Sequence, residues 1–158
     1  MMKNRLWILA MVMIMSQAAG GALWGADNSG QARSPVVDQD LVIQLKDLSG
    51  TAQFYPVIIE GVQMEVLAVK APDGSYRTVF NTCQVCYASG RGFYKQSGTA
   101  LVCQNCGNRF PLSRVEVSSG GCNPVPIFPQ YKVQDDEKIV IPKDFLIKAK
   151  GIFARWKV

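Results

Sequence analysis

Apolar and polar positions divide the chain into three stretches. Residues 6–15 form an apolar run, residues 27–40 are polar and rich in Ser, Gly, Gln and Pro, and from Leu41 onward short β-branched and aromatic segments alternate with turn residues. Residues 41–45, 53–60, 62–70 and 76–80 have the length and composition of strands. Glu60-Gly61 and Pro72-Asp73-Gly74-Ser75 lie between them as hairpin signals. In the third segment Val62, Met64, Val66 and Ala68 share one face and Gln63 and Glu65 lie on the other, which predicts a strand of a small antiparallel sheet.

Beyond Phe80 the pattern breaks into cysteine-bearing loops, with short strands predicted over 92–95, 99–102 and 114–118. Residues 138–141 read as a last strand. Residues 142–149 read as a short helix started by Pro142 and closed near Gly151. The predicted fold class is mostly β (α+β): a small antiparallel sheet, a Cys-rich metal-binding insert and a short C-terminal helix.

The N-terminus refines this division. Lys3 and Arg5 precede the apolar run and small residues follow it from Ser16 to Ala22, which is the order of a secretory signal. Residues 1–26 are therefore expected to be a signal peptide cut near Ala22, or an uncleaved N-terminal anchor, since residues 6–26 are just long enough to span a bilayer. No cysteine follows the run to carry a lipid, and Lys3-Asn4-Arg5 is not a twin-arginine signal, so the chain is expected to be exported unfolded. Residues 27–40 read as a linker and 41–158 as one Cys-rich metal-binding domain, placed in the periplasm or elsewhere outside the cytoplasm.

Composition adds little to the fold and more to the function. With 158 residues, 48% apolar and 18% charged, the chain is in the globular range. The net charge of +5 falls to about +3 without Lys3 and Arg5 and is spread along the chain, so no nucleic-acid partner is expected. Lys148, Lys150, Arg155 and Lys157, interleaved with Phe153 and Trp156, suggest peripheral membrane contact. A helix packed by its apolar side with its basic residues in water is the simpler account. There is no histidine, which removes Ser-His-Asp and Cys-His catalysis and His-ligated zinc hydrolysis.

The chemistry lies in the cysteines. Cys83 and Cys86 form one C-x2-C pair, sixteen residues separate Cys86 from Cys103, Cys103 and Cys106 form a second pair, and Cys122 follows in Gly120-Gly121-Cys122-Asn123-Pro124. Two residues between cysteines let both sulfurs of a tight turn converge on one ion, and two such turns make four ligands. An all-sulfur set suits Zn, Fe, Cu(I) or an iron-sulfur cluster.

Three other readings compete. Disulfides would leave one of five cysteines unpaired. A thioredoxin-like pair needs a helix start after the first cysteine, and neither pair is followed by one. A structural zinc ribbon has no use for Cys122, whose presented loop suggests a fifth ligand or a thiol poised beside the site. Met64 is a candidate soft ligand, although a Met on an apolar strand face ordinarily belongs to the core. Asp135-Asp136-Glu137 reads as a solvated turn, and Gly90-Arg91-Gly92 lacks the strand–helix context of a nucleotide loop.

Taken together, Phe54-Tyr55, Asp73-Gly74, Cys83-Gln-Val-Cys-Tyr87, Gly92-Phe93-Tyr94, Cys103-Gln-Asn-Cys-Gly107 with Phe110, and Gly120-Gly-Cys-Asn-Pro124 carry a resemblance. The stretch from about Gln53 to Phe153 resembles the FtrD-like membrane iron-sulfur protein family. The resemblance implies an iron-sulfur centre, an association with ferrous-iron transport systems, and Cys83, Cys86, Cys103, Cys106 and Cys122 as ligands. This chain departs from membrane-embedded members in having a single apolar segment, and has Asn81-Thr82 where Asp-Ala is expected. The function expected is metal binding in iron transport or electron transfer, with a membrane metal-transport or redox system as partner and no catalysis. A thiol-disulfide oxidoreductase and a zinc-stapled interaction domain are the alternatives.

Overall fold

A computed structural model describes residues 33–158; the predicted signal, residues 1–26, lies outside the described residues. The fold is mostly β, with three small sheets and one short α-helix near the C-terminus among the described residues. Strands β1 (Val36–Val37), β3 (Gln53–Ile59), β4 (Val62–Lys70), β5 (Tyr76–Cys83) and β9 (Pro124–Pro126) form the main sheet, in the order β1-β3-β4-β5-β9. β2 (Leu41–Gln44), β10 (Val133–Gln134) and β11 (Lys138–Ile141) make a second sheet, and β6 (Tyr94–Ser97), β7 (Ala100–Cys103) and β8 (Arg109–Pro111) a third.

The hairpins form where the turn residues predicted them. Glu60 and Gly61 both have positive φ, 48° and 78°, as a two-residue turn matched to strand twist requires. β3 and β4 pair antiparallel from Ile59↔Val62 to Gln53↔Ala68. One strand falls inside the segment read as a linker: β1 pairs parallel to β3 through Val36↔Val57, and the Asp38 carboxylate accepts the Glu60 amide at 2.9 Å.

β4 is buried on both faces, not one. Met64, Val66 and Ala68 face a core with Ile43, Ile139, Ile141 and Leu146, whereas Leu67 and Val69 face a second core with Leu101, Phe110, Leu112, Cys83 and Cys103. The alternation of Val62 to Ala68 finds the first face; the second is apolar only from Leu67 on, and becomes interior because the third sheet covers it. Met64 is fully buried in the first core, while the buried cysteines lie in the second, so it is a packing residue.

The strand expected over residues 114–118 is absent. Leu112–Arg114 form a 3-10 turn, and the amides of Val117 and Ser118 bond back to the Arg114 carbonyl, which closes local turns in place of a ladder. Glu116, at φ 63°, then turns its carboxylate inward to accept the Thr78 amide and the Lys132 ammonium, each at 2.6 Å. This buried pair ties the loop leading to Cys122 to strand β5.

Helix α1 (Lys143–Ala149) starts after Pro142 and runs past Gly151 as a 3-10 turn, Lys150–Phe153. Phe153 and Trp156 are turned into the first core, so the apolar side of this segment is spent on packing. The Asp135 carboxylate accepts the amides of Glu137 and Lys138 at 2.8 Å in the turn between β10 and β11, the solvated turn expected. Among the described residues no helix is long and apolar enough to cross a membrane.

Candidate metal centre

Strand ends deliver the sulfurs. Cys83 is the last residue of β5, Cys103 the last of β7, and Cys122 lies two residues before β9. The register Cys83↔Pro124, with an irregularity after Phe80, brings the Cys122 loop beside the first cysteine turn. Neighbouring backbone fastens the turns together: the Gly92 carbonyl accepts the Cys83 amide at 2.6 Å, and the next carbonyl, of Phe93, accepts the Gln104 amide at 2.8 Å. The Asn123 carbonyl accepts the Gln84 amide at 2.9 Å, and the Asn108 side chain donates to the Cys122 carbonyl at 2.8 Å.

The four cysteines named from spacing and Cys122, named from its loop, lie together. Cys83, Cys86, Cys103 and Cys122 have sulfurs that all lie within 4.8 Å of one another. Cys122 is central: its sulfur is 3.3 Å from that of Cys83, 3.8 Å from that of Cys86 and 2.8 Å from that of Cys106. Cys106 falls outside the mutually close set and is the exposed member, whereas Cys83 and Cys103 are buried. The four sulfurs gathered most closely are therefore not the two C-x2-C pairs.

The crowded thiols push one another's titrations apart. Burial alone would raise the Cys83 thiol, but the Tyr94 hydroxyl and the amides of Cys86 and Val85 outweigh it and hold Cys83 below the ordinary thiol range. Cys106 is held down to about 7, first by its hydrogen bond with Cys122 and then by the Asn108 amide. Burial pushes Cys86 up to about 11, raises Cys103, and with the neighbouring Cys106 and Cys83 drives Cys122 far above the thiol range. Sulfurs this close repel one another as thiolates, and a bound cation removes that repulsion.

The donor set fits that purpose. A tetrahedral ion with metal–sulfur bonds near 2.3 Å holds its ligands about 3.8 Å apart, inside the spread seen here. The Cys86 amide points at the Cys83 sulfur at 3.3 Å, as expected of a turn built to carry a thiolate.

The model of the family described as "Membrane iron-sulfur containing protein FtrD-like" matches residues 36–153. The chain belongs to the FtrD-like family. No curated protein and no solved structure matches it. The match covers the main sheet and every cysteine, so the centre lies wholly within the FtrD-like region.

Several supporting residues of this FtrD-like chain were not evident as site residues from sequence. Tyr94 is fully buried and donates its hydroxyl to the Cys122 carbonyl at 3.0 Å. Its backbone is held by Asn81, whose side-chain oxygen accepts the Tyr94 amide at 2.7 Å while its amide donates to Glu65 at 2.6 Å. Asn81, read as a departure where Asp was expected, thus needs both a donor and an acceptor, and an ionised Asp has no donor to offer the buried Glu65. Glu65 also pairs with Lys157 at 3.2 Å, tying the C-terminal segment to β4, the neighbour of the strand that ends in Cys83. The only sequence signals for these residues were Phe93-Tyr94 and Asn81-Thr82 in the resemblance.

Gly92 offers a direct test of the first cysteine turn. A Cβ at Gly92 would lie 2.8 Å from the Tyr87 nitrogen and closer still to the Cys86 carbonyl, all of it backbone. Gly92→Ala is expected to displace the Cys83–Cys86 turn, costing about 1–3 kcal/mol as overpacking does, and to weaken metal binding. Urea unfolding and metal titration of the variant would check it; native stability together with native affinity would refute the close approach.

Proposed function

We propose that this chain is an exported metal-binding protein whose centre is held by Cys83, Cys86, Cys103 and Cys122, with Cys106 beside it. The observation that carries the reading is the convergence of four sulfurs from three separate loops within 4.8 Å of one another. Among non-metal uses, catalysis by a nucleophile and base finds no histidine to serve it. The family description supports iron as the metal, held as an iron-sulfur centre. All-thiolate ligation suits that chemistry, and bound iron supplies a one-electron couple whose potential responds to hydrogen bonds at the sulfurs. The amide of Cys86, aimed at the Cys83 sulfur, is a group placed for that tuning.

The role proposed is electron transfer or iron handling beside a membrane iron-transport system; the family description supports the iron-sulfur centre and the membrane, and the transport system is what the family resemblance implies. Export rests on the basic, apolar, small-residue order from Lys3 to Ala22. Full-length chain found in the cytosol on cell fractionation, with none outside it, would refute export.

The test of the centre is metal and acid-labile sulfide analysis of protein purified without oxygen, read with its absorption spectrum. Iron with sulfide and sulfur-to-iron charge-transfer bands is the expected result. Iron without sulfide would replace the cluster by a single ion. Zinc alone with a featureless visible spectrum would overturn the redox role and leave the zinc-stapled domain.

A further inference from the structure

Five thiols meet where one tetrahedral ion uses four. A sulfur–sulfur approach of 2.8 Å joins Cys106, the exposed member, to Cys122, the central one. The loops bearing them are fastened by Asn108 donating to the Cys122 carbonyl at 2.8 Å. Gly107, next to Cys106, has φ 75°, and Gly120 and Gly121, before Cys122, have φ 85° and 71°; an added Cβ at any of the three meets nothing within 4 Å. Both loops are therefore free of side-chain packing at these glycines; Cys106 is exposed, and Cys122 is half-buried at the edge of the second core. Cys83 and Cys103, by contrast, are buried among apolar side chains.

We infer that Cys106 and Cys122 form a redox-active dithiol that exchanges with disulfide substrates, and that its oxidation removes a ligand from the metal centre. The inference rests on the metal reading above for its second half only. The Cys106 sulfur, being the one open to solvent, attacks one sulfur of a disulfide; an S–S bond forms to Cys106 and the other half leaves as a thiolate. The Cys122 sulfur then attacks Cys106, forming the Cys106–Cys122 bond and expelling the second half. Two electrons pass from the dithiol to the disulfide, which is reduced to two thiols carrying the two protons that Cys106 and Cys122 lose. Cys83, Cys86 and Cys103 are left as three ligands, one fewer than a closed site needs.

The first experiment uses the reduced full chain as purified and oxidised glutathione, with alkylation and peptide mapping by mass spectrometry. A protein lighter by two hydrogens, with a Cys106–Cys122 cross-linked peptide, is expected, and Cys106→Ser should retain no such link. Cross-links inside Cys83–Cys86 or Cys103–Cys106, or glutathione left standing on Cys106, would overturn the dithiol. The second uses metal-loaded protein and a coloured chelator to follow release. Wild-type protein should release metal on adding oxidised glutathione, and Cys106→Ser at least about tenfold more slowly, since the attacking thiol sets the exchange rate. Equal release rates would overturn the coupling. A chain that never binds metal when reduced would instead refute the metal reading, while the mapping would still decide the dithiol.

Discussion

Cys103→Ser is expected to abolish metal binding and to destabilise the domain far more than Cys106→Ser. The Cys103 sulfur lies in the second core against Leu101, Phe110 and Leu112, and is one of the four mutually close sulfurs. A hydroxyl there loses the metal bond and also puts a polar group in an apolar cluster, a cost of about 1–3 kcal/mol when it finds no partner. The larger part comes from linkage. Metal that binds only the folded chain stabilises it by its own binding free energy, on the order of 10 kcal/mol for structural thiolate sites in small domains. The melting temperature should therefore fall well beyond the few degrees of an ordinary substitution, and treating wild-type protein with a chelator should reproduce most of the fall. Wild-type metal content and an unchanged melting temperature in Cys103→Ser would sink the centre altogether. The exposed Cys106 provides the contrast, because Ser at that position leaves no polar group in the core.

The second large effect concerns Cys122. If the two C-x2-C pairs closed a ribbon by themselves, Cys122→Ser would leave metal content, spectrum and potential alone. The geometry predicts otherwise, since Cys122 belongs to the mutually close four and touches three other sulfurs. Cys122→Ser should lower metal affinity by about 10–100-fold or more, as losing a supporting contact already does, and should shift the absorption bands and the reduction potential. Cys106, 2.8 Å away, is placed to take up the vacated position, so the single variant is expected to keep weakened binding and the Cys106→Ser/Cys122→Ser double variant to lose it. Competitive titration against a chelator of known affinity measures both. Native affinity in Cys122→Ser, with binding lost in Cys106→Ser, would assign the centre to the paired cysteines instead.

Much of the local architecture is legible in the sequence. The bounds of β4 and β11, the positive-φ turn at Glu60-Gly61 and the helix after Pro142 follow from residues within a few positions of one another. The error at residues 114–118 has a physical cause: Val115 and Val117 carry strand propensity, but the turn that forms there aims Glu116 at Thr78 and Lys132. Neither partner is near in sequence. Likewise the alternation places Gln63 and Glu65 on the face opposite Val62–Ala68, and nothing local shows that Glu65 will be met there by Asn81 and Lys157.

The five cysteines as one candidate set, and their two tight turns, were determined by the sequence by itself, because a C-x2-C turn needs only its own four residues to bring two sulfurs together. Which sulfurs stand closest was decided by the tertiary structure. Cys83, Cys103 and Cys122 sit at or just before strands of two different sheets, and their separation depends on how β5, β7 and β9 pack. Spacing therefore grouped Cys106 with its pair, whereas packing put Cys122 among the four and left Cys106 exposed at its side. Local turn geometry is fixed by bonds over a few residues; the meeting of three loops is fixed by a core assembled from across the chain.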